Sequence, residues 1–202
     1  MIPVRPAPGW PAFLAHGDVA LRPLEAGDAD AWREVRTRNG DWLKPWEATL
    51  PPGERDLAGS YGQVVRRLRR LARQGQAMPF AIEVDGKFAG QVTVNNIVRG
   101  SAQFASIGYW LDRAVAGRGV MPTAVAMVID HCFTTARLHR VEICIRPENT
   151  NSLRVVEKLA MREVGFAPRF LHINGEWRDH RIFAVTTEEC PGGMLARIPR
   201  VT

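Results

Sequence analysis

The sequence predicts an α/β protein with one mixed β-sheet flanked by helices. Runs of β-type residues alternate with segments of helical period, and two pairs of these runs are joined by Asp-Gly and Asn-Gly turn signals. Hydrophobic residues make up 46% of the 202 positions, enough for a sizeable core. The predicted order is strand, two helices, three strands, helix, strand, helix and two strands, which is typical of a mixed sheet.

The first part of the chain is expected to begin irregularly, because residues 1–11 contain several prolines. A short strand is predicted over Asp18 to Leu24, followed by a helix in "AGDADAWREVRTRN" with Asp28 as its N-cap. Residues 41–54 are proline-rich and predicted to be a loop. A helix is then expected from about Arg55 to Gln74, with Val64, Leu68 and Leu71 on one face.

The second part reads as two hairpins around a central helix. The hairpins are "PFAIEVDGKFAGQVTVNNI" and "FAPRFLHINGEWRDHRIFAVTTEE". Between them lie a strand in "AQFASIGYWLD", a helix over about Gly119 to Ala136, a strand "RVEICIR" and a short helix capped by Asn149 or Asn151. The apolar stripe of the central helix comprises Met121, Val125, Val128 and Cys132. The tail from Pro191 is expected to be irregular.

The charge of the chain leaves two interpretations open. A net charge of +6 and a pI near 9.9 fit an anionic ligand, an acidic substrate or nucleic acid, and also an arginine-rich composition without functional meaning. The helix predicted from Arg55 to Gln74 is either an RNA- or ribosome-binding patch or a solvated face. No aromatic residues alternate with its arginines, so a base-stacking surface is not indicated. These arginines are Arg66, Arg67, Arg69, Arg70 and Arg73.

Composition argues against several other classes. No run of 18 apolar residues is present, so no membrane-spanning helix is expected. The N-terminus lacks the features of a signal peptide, and a cytoplasmic protein is therefore expected. Cys132, Cys144 and Cys190 are odd in number and lack metal-ligand spacing. Free thiols, without disulfides and without a metal site, are the prediction.

A glycine pair stands at the junction between a predicted strand and the central helix. Gly117 and Gly119 flank Arg118 immediately before the helix. A helix N-terminus offers unpaired N–H groups and a partial positive charge, and glycines allow an anion to approach the backbone. A simple tight turn is the alternative. The spacing matches neither the dinucleotide fingerprint nor a P-loop.

Three longer segments carry a family resemblance. They are "GYWLDRAVAGRGVMPTAV", "HRVEICIRPENTNSLRVVEKLA" and "HINGEWRDH", in this order. With them the chain resembles the GNAT superfamily of N-acetyltransferases, especially the ribosomal-protein-alanine enzymes of the RimJ/RimL type, over roughly Val19 to Glu189. The resemblance implies one acetyltransferase domain over residues 1–202 with a core at about 18–189. It also implies the GNAT fold, whose central sheet is mostly antiparallel, and acetyl-CoA as cosubstrate.

The resemblance also implies which residues hold the cofactor. The family binds the pyrophosphate on a Gln/Arg-Gly-x-Gly-x-Gly/Ala loop, which here runs from Ala116 to Met121 and departs from the pattern at both ends. The strand before the loop splays from its neighbour and pairs with the pantetheine arm. The expected cofactor-binding residues are Tyr109, Trp110, Leu111, Gly117, Arg118, Gly119, Val120, Met121, Asn149 and Ser152.

The catalytic residues are less clearly indicated. By resemblance Ser152 donates a proton to the leaving sulfur and Asn149 lies beside the thiol, although both residue types also cap helices. The base is His172, whose imidazole accepts a proton near neutral pH, or Glu142 on its strand, or water. Glu142 also has a structural interpretation, as an ion-pair partner of Arg140 or Arg146.

The acceptor is the least determined part of the prediction. The preferred acceptor is the N-terminal α-amine of a protein, possibly ribosomal in origin, attacked directly in a ternary complex. A small amine, antibiotic or polyamine is one alternative, and a CoA-binding regulatory module without turnover is another. Trp42, Trp46 and Trp177 form either an acceptor wall or part of the core. A homodimer and an association with the ribosome stay open, and no membrane partner is expected.

Overall fold

The computed structural model describes residues 7–54 and 59–198. Its eight strands form one sheet in the order β1-β2-β3-β4-β5-β6-β8-β7. The strands are β1 Leu14–His16, β2 Val19–Pro23, β3 Met78–Val84, β4 Lys87–Val98, β5 Phe104–Leu111, β6 Arg140–Ile145, β7 Arg162–Ile173 and β8 Glu176–Thr186. The helices are α1 Ala29–Arg38, α2 Gly40–Leu43, α3 Tyr61–Arg73, α4 Val120–Thr134 and α5 Thr150–Lys158. The predicted mixed sheet with flanking helices is confirmed.

Both predicted hairpins form around the turns that the sequence indicates. Asp85 and Gly86 have φ of 51° and 71°, and Asn174 and Gly175 have φ of 48° and 86°. Two successive residues with positive φ match the right-handed twist of the strands they join. The turns therefore set the registers of β3 against β4 and of β7 against β8.

The sheet is antiparallel except where β5 meets β6, and there the two strands separate. Their parallel pairing covers only Phe104 to Ser106 against Arg140 to Glu142. Beyond these residues β5 continues to pair with β4, and β6 with β8. The carboxyl-terminal halves of β5 and β6 therefore border a cleft inside the sheet, as the family resemblance implies.

Helices cover both faces of the sheet. α4 packs against β1, β2, β4 and β6, and it is buried at every position from Val120 to Ile129. The predicted apolar stripe is thus only one part of the buried surface of α4. On the opposite face, Val65 of α3 packs with Ala81 of β3 and Leu24. No helix among the described residues is long and apolar enough to cross a membrane.

Several boundaries differ from the predictions. The arginine-rich helix starts at Tyr61 because Ser60 and Gln63 form a capping box, and residues 55–58 of the predicted helix lie outside the described part. Residues 40–46 are not a loop: they form α2 and a 3₁₀ turn. Strand β1, at Leu14–His16, was not predicted.

The predicted N-cap of α1 has a different task. Helix α1 does begin after Asp28, but the Asp28 carboxylate makes no cap bond to α1. It accepts hydrogen bonds from the Glu25 N–H at 2.8 Å and from the Arg22 guanidinium at 2.6 and 3.0 Å. Asp28 thus fastens the turn before α1 to strand β2.

Candidate active site

The glycine loop presents bare backbone at the N-terminus of α4. Gly117 and Gly119 have φ of 83° and 84°, a conformation that L side chains rarely adopt. A Cβ atom at either position would meet nothing within 4 Å, so the space in front of the loop is open. Among the described residues, the N–H groups from Gly117 to Met121 donate to no backbone carbonyl. Unpaired donors at a positive helix end form an anion site.

Arg118 does not face that space. Its guanidinium pairs with Asp18 at 3.0 Å and approaches Asp85 at 3.7 Å, on the neighbouring β2 and β3 side of the sheet. Arg118 is half exposed and does not line the cavity described below. Its contacts tether the loop, and its predicted contact with the cofactor stays a prediction.

A buried network holds the segment that leads into the loop. Asn39 is 3% exposed and donates from Nδ2 to Asp112 Oδ1 at 2.8 Å, while its Oδ1 accepts the Arg113 N–H at 3.0 Å. Asp112 also accepts from the Ala114 N–H at 3.1 Å and from Arg38. Burial acts to raise the pKa of Asp112, but the hydrogen bonds from Arg38 and Asn39 outweigh it and hold the pKa below its ordinary value.

A cavity of about 350 Å³ runs from the glycine loop along the carboxyl-terminal end of β5 to α5. Its charged lining is mainly basic, with Arg36, Arg154 and Lys158 against the single carboxylate Glu47, which is paired with Arg36. Its other lining residues are Trp42, Leu43, Trp46, Ala48, Tyr109, Trp110, Leu111, Ala116, Gly117, Gly119, Val120, Met121, Pro122, Asn149, Asn151, Ser152 and Val155. We call it the first cavity.

A second cavity of about 230 Å³ lies on the β6 side of the cleft. It shares Trp46, Tyr109, Asn149 and Ser152 with the first cavity. The rest of its lining is largely apolar: Ile107, Gly108, Ile143, Cys144, Ile145, Arg146, Leu171, Ile173 and His180. The shared residues form a common wall, so groups bound in the two cavities would meet there.

Polar groups of this common wall suit proton transfer. Asn149 caps α5, since its Oδ1 accepts the Ser152 N–H at 3.1 Å. The Tyr109 hydroxyl oxygen is buried and has no hydrogen-bond partner among the described residues. Burial raises the pKa of Tyr109, while the nearby Ser152 hydroxyl acts in the opposite direction but less than burial does, so Tyr109 stays protonated. Ser152 and Tyr109 therefore both offer a proton at the junction of the cavities.

Tryptophans that follow α1 complete the first cavity. The Trp42 indole N–H donates to the Leu111 carbonyl at 3.2 Å, so this carbonyl on the open edge of β5 is already engaged. Trp46 lies 5.2 Å from the Arg146 guanidinium, measured to the ring centroid. Trp177 instead is 53% exposed and packs edge-on against His172. Two of the three predicted tryptophans thus line the site.

Neither predicted base candidate lines these two cavities. His172 is buried and its Nδ1 lies 2.9 Å from the Thr49 hydroxyl. Glu142 faces away from Val141 and Ile143 as predicted, and it pairs with Arg140 at 2.7 Å. The sequence reasoning did not select His180, which does line the second cavity, although it ends the same "HINGEWRDH" segment.

The thiols near the site are protonated. All three cysteines are free, and Cys144 lines the second cavity. Burial raises the pKa of Cys144 to about 11, so little thiolate exists near neutral pH. Among the residues the structure describes, no cluster of three His, Cys, Asp or Glu side chains could hold a metal ion.

The cleft within the sheet and the loop before α4 are the features that the resemblance to the GNAT superfamily implies, and comparison with known families agrees with this resemblance. The model of the acetyltransferase (GNAT) domain matches residues 18–162. The chain belongs to this family, and it is an acyltransferase.

Comparison with individual relatives identifies the type of acetyltransferase within this family. The chain is 32% identical to the [ribosomal protein uS5]-alanine N-acetyltransferase of Escherichia coli, over 82% of this chain and 87% of that protein. It is equally identical to the probable N-acetyltransferase YjcK of Bacillus subtilis, over 86% and 96%. A solved structure of Mycobacterium smegmatis RimJ in complex with CoA-disulfide has 39% identity, a TM-score of 0.88 and 94% coverage of both chains. The chain is an N-acetyltransferase of the RimJ/RimL type.

Proposed function

We propose that this protein transfers the acetyl group of acetyl-CoA to the N-terminal α-amine of a protein, with a ribosomal protein as the natural acceptor. The observation that carries the proposal is the meeting of two cavities at Ser152 and Tyr109. One cavity begins at an anion-binding helix end, and the other is largely apolar. The relatives named above support this choice of acceptor, since one is described as an acetyltransferase of a ribosomal alanine.

The first cavity suits acetyl-CoA. The N–H groups that follow Gly117 would bind the pyrophosphate, and Arg154 and Lys158 would add positive charge along the same wall. The open edge of β5 beyond Ser106 would pair with the pantetheine arm through Tyr109 and its neighbours. M. smegmatis RimJ was solved with a CoA-disulfide, which supports the same ligand here.

The second cavity suits an uncharged amine attached to a small first residue. An α-amine has a pKa of about 7.7–8.0, so only a modest base is needed to deprotonate it near neutral pH. The apolar lining from Ile107, Ile143 and Leu171 would accept a small apolar side chain such as that of alanine. The high pKa of the Cys144 thiol favours direct attack of the amine over an acyl-cysteine intermediate.

The cofactor part of the proposal is tested by thermal unfolding with and without acetyl-CoA. The ligand should raise the melting temperature by mass action. Gly119→Glu should abolish this rise, because a carboxylate would occupy the open space in front of the loop. Gly100→Glu is the matched control, since Gly100 also has positive φ, at 72°, with open space around it. An equal ligand response in both variants would refute the placement of the pyrophosphate.

The acceptor is tested by mass spectrometry of protein N-termini from cells with and without this protein. We expect a protein N-terminus that begins with a small residue to lose its acetyl group when this protein is absent. Purified enzyme should then release CoA fastest with a peptide of that sequence. Faster turnover of polyamines or aminoglycosides than of any peptide would refute the proposed acceptor.

A further inference from the structure

A buried histidine on β8 lines the second cavity. His180 is 3% exposed and lines that cavity. Its Nδ1 lies 3.0 Å from the Arg178 carbonyl oxygen. A carbonyl oxygen only accepts, so Nδ1 carries the proton, and in a neutral ring Nε2 is then a bare acceptor. No described residue forms a hydrogen bond with Nε2, which leaves it available to a molecule in the cavity.

The surroundings of His180 favour its neutral form. Burial lowers its pKa, and the positive charge of Arg146 acts in the same direction. The hydrogen bond to the Arg178 carbonyl acts in the opposite direction, as do Asp179 and Glu148, but each acts less than burial does. On the neighbouring strand β7, Phe170 packs edge-on with ring centroids 5.9 Å apart.

The other titratable groups of the same cavity stay protonated. Burial raises the pKa of both the Cys144 thiol and the Tyr109 hydroxyl, so neither accepts a proton near pH 7. Within this cavity, the neutral imidazole is therefore the base that the described residues provide. Arg146 also disfavours a second cation at this place, which favours an amine that has lost its proton.

From this arrangement we propose that His180 is the catalytic base of the acetyl transfer, an inference that rests on the proposed function. Nε2 takes a proton from the acceptor ammonium, and the free amine nitrogen attacks the thioester carbonyl carbon. A C–N bond forms and the C–S bond breaks, and the second proton of the attacking nitrogen replaces the one that the proton donor gives to the leaving thiolate, while His180 releases the first proton to water. The leaving thiolate receives a proton from Ser152 or Tyr109 on the common wall. The products are the amide, CoA thiol and one proton released to water.

The two histidines of the β7–β8 hairpin thus have different tasks. Nδ1 of His172 is held by both the hydroxyl and the carbonyl of Thr49, at 2.9 and 3.2 Å. This contact joins the hairpin to the segment that follows α2. His172 is therefore a packing group, and it offers a matched control for His180, being a second buried histidine on the same hairpin.

The test compares His180→Gln with His172→Gln in the full-length protein. The measurements are kcat/KM between pH 5 and 9 and the affinity for acetyl-CoA. In the wild type, kcat/KM should fall as the pH drops through a value below 6.5, where His180 becomes protonated. His180→Gln should lose about 10²-fold or more in kcat/KM at pH 7, lose this acid limb and keep acetyl-CoA affinity. His172→Gln should keep the acid limb and lose thermal stability.

The acceptor used is whichever amine the wild type acetylates fastest. If the fastest acceptor is a small amine, the proposed protein acceptor is refuted, but the role of His180 is still tested. If His180→Gln retained the wild-type rate and acid limb, the inference would be overturned.

A second measurement does not depend on turnover. ¹⁵N NMR of the wild-type imidazoles, assigned by through-bond correlation to the backbone, should show His180 protonated at Nδ1 with a pKa below 6.5. A proton on Nε2 in the neutral ring would overturn the inference even if His180→Gln failed to fold.

Discussion

Replacing Asn39 with alanine tests whether the buried network fixes the glycine loop. Asn39 makes three hydrogen bonds: to the Val35 carbonyl at 2.8 Å, to Asp112 at 2.8 Å and from the Arg113 N–H at 3.0 Å. A neutral hydrogen bond contributes about 1 kcal/mol net, and one to a charged group about 2 kcal/mol. The sum is about 4 kcal/mol, and water entering the site would recover about 1 kcal/mol of it.

We therefore expect Asn39→Ala to lower the free energy of unfolding by about 3 kcal/mol. For a chain of this size that corresponds to a fall in melting temperature of about 6–12 °C. Because Arg113 leads into the loop at Gly117, the affinity for acetyl-CoA should fall as well. Urea unfolding and calorimetric titration measure the two effects.

The control is Asp30→Ala on α1, the helix that ends just before Asn39. It removes an exposed ion pair with Arg33 and a negative charge in the first turn of α1, and should cost less than about 1 kcal/mol. A loss below about 1 kcal/mol in Asn39→Ala, with unchanged cofactor affinity, would refute the view that the network holds the loop in place.

Two further predictions concern the proton donor and pH. Ser152→Ala should lower kcat about 10²-fold or more with acetyl-CoA affinity retained; full activity there, with loss in Tyr109→Phe, would make Tyr109 the donor. The pKa of Asp112 is below its ordinary value, so its charged form stabilises the fold above about pH 4 and this stabilisation is lost as the pH falls through the folded pKa. The difference in unfolding free energy between wild type and Asp112→Asn should therefore shrink below about pH 4, and urea midpoints from pH 3 to 7 measure it. A difference that is constant over this range would contradict the role of the charge.

Local signals in the sequence predicted most of the fold. Asp85-Gly86 and Asn174-Gly175 located the hairpin turns, and Asn149, one of the two residues predicted to cap α5, is its cap. These features depend on residues close together in the chain. Strand β1 was missed because three residues carry too little pattern, and its pairing with β2 decides its structure.

The site was less predictable because its contacts join distant residues. The glycine loop was found from its local pattern, but the network from Asn39 to Asp112 spans 73 positions and leaves no local signal. His172 and His180 belong to one segment, and sequence alone does not tell which of them faces the cleft. Register shifts in β7, between Glu163 and Gly165 and between Ala167 and Leu171, interrupt its alternation of faces. Only the folded hairpin shows where each imidazole lies.

The separation of β5 from β6 has a mechanical consequence. Within the part of the chain that the structure describes, only three residue pairs of β5 and β6 join the five-stranded half of the sheet, β1 to β5, to the three-stranded half, β6 to β8. Helix α4 lies across this seam, in contact with β4 on one side and β6 on the other. Helix α4, whose first turn faces the cleft, is thus also the helix that connects the two halves of the sheet. A ligand bound by that turn and by the free edge of β5 would bridge the two halves of the sheet. Binding in the cleft would therefore make the whole sheet more rigid, and release of the ligand would make it more flexible.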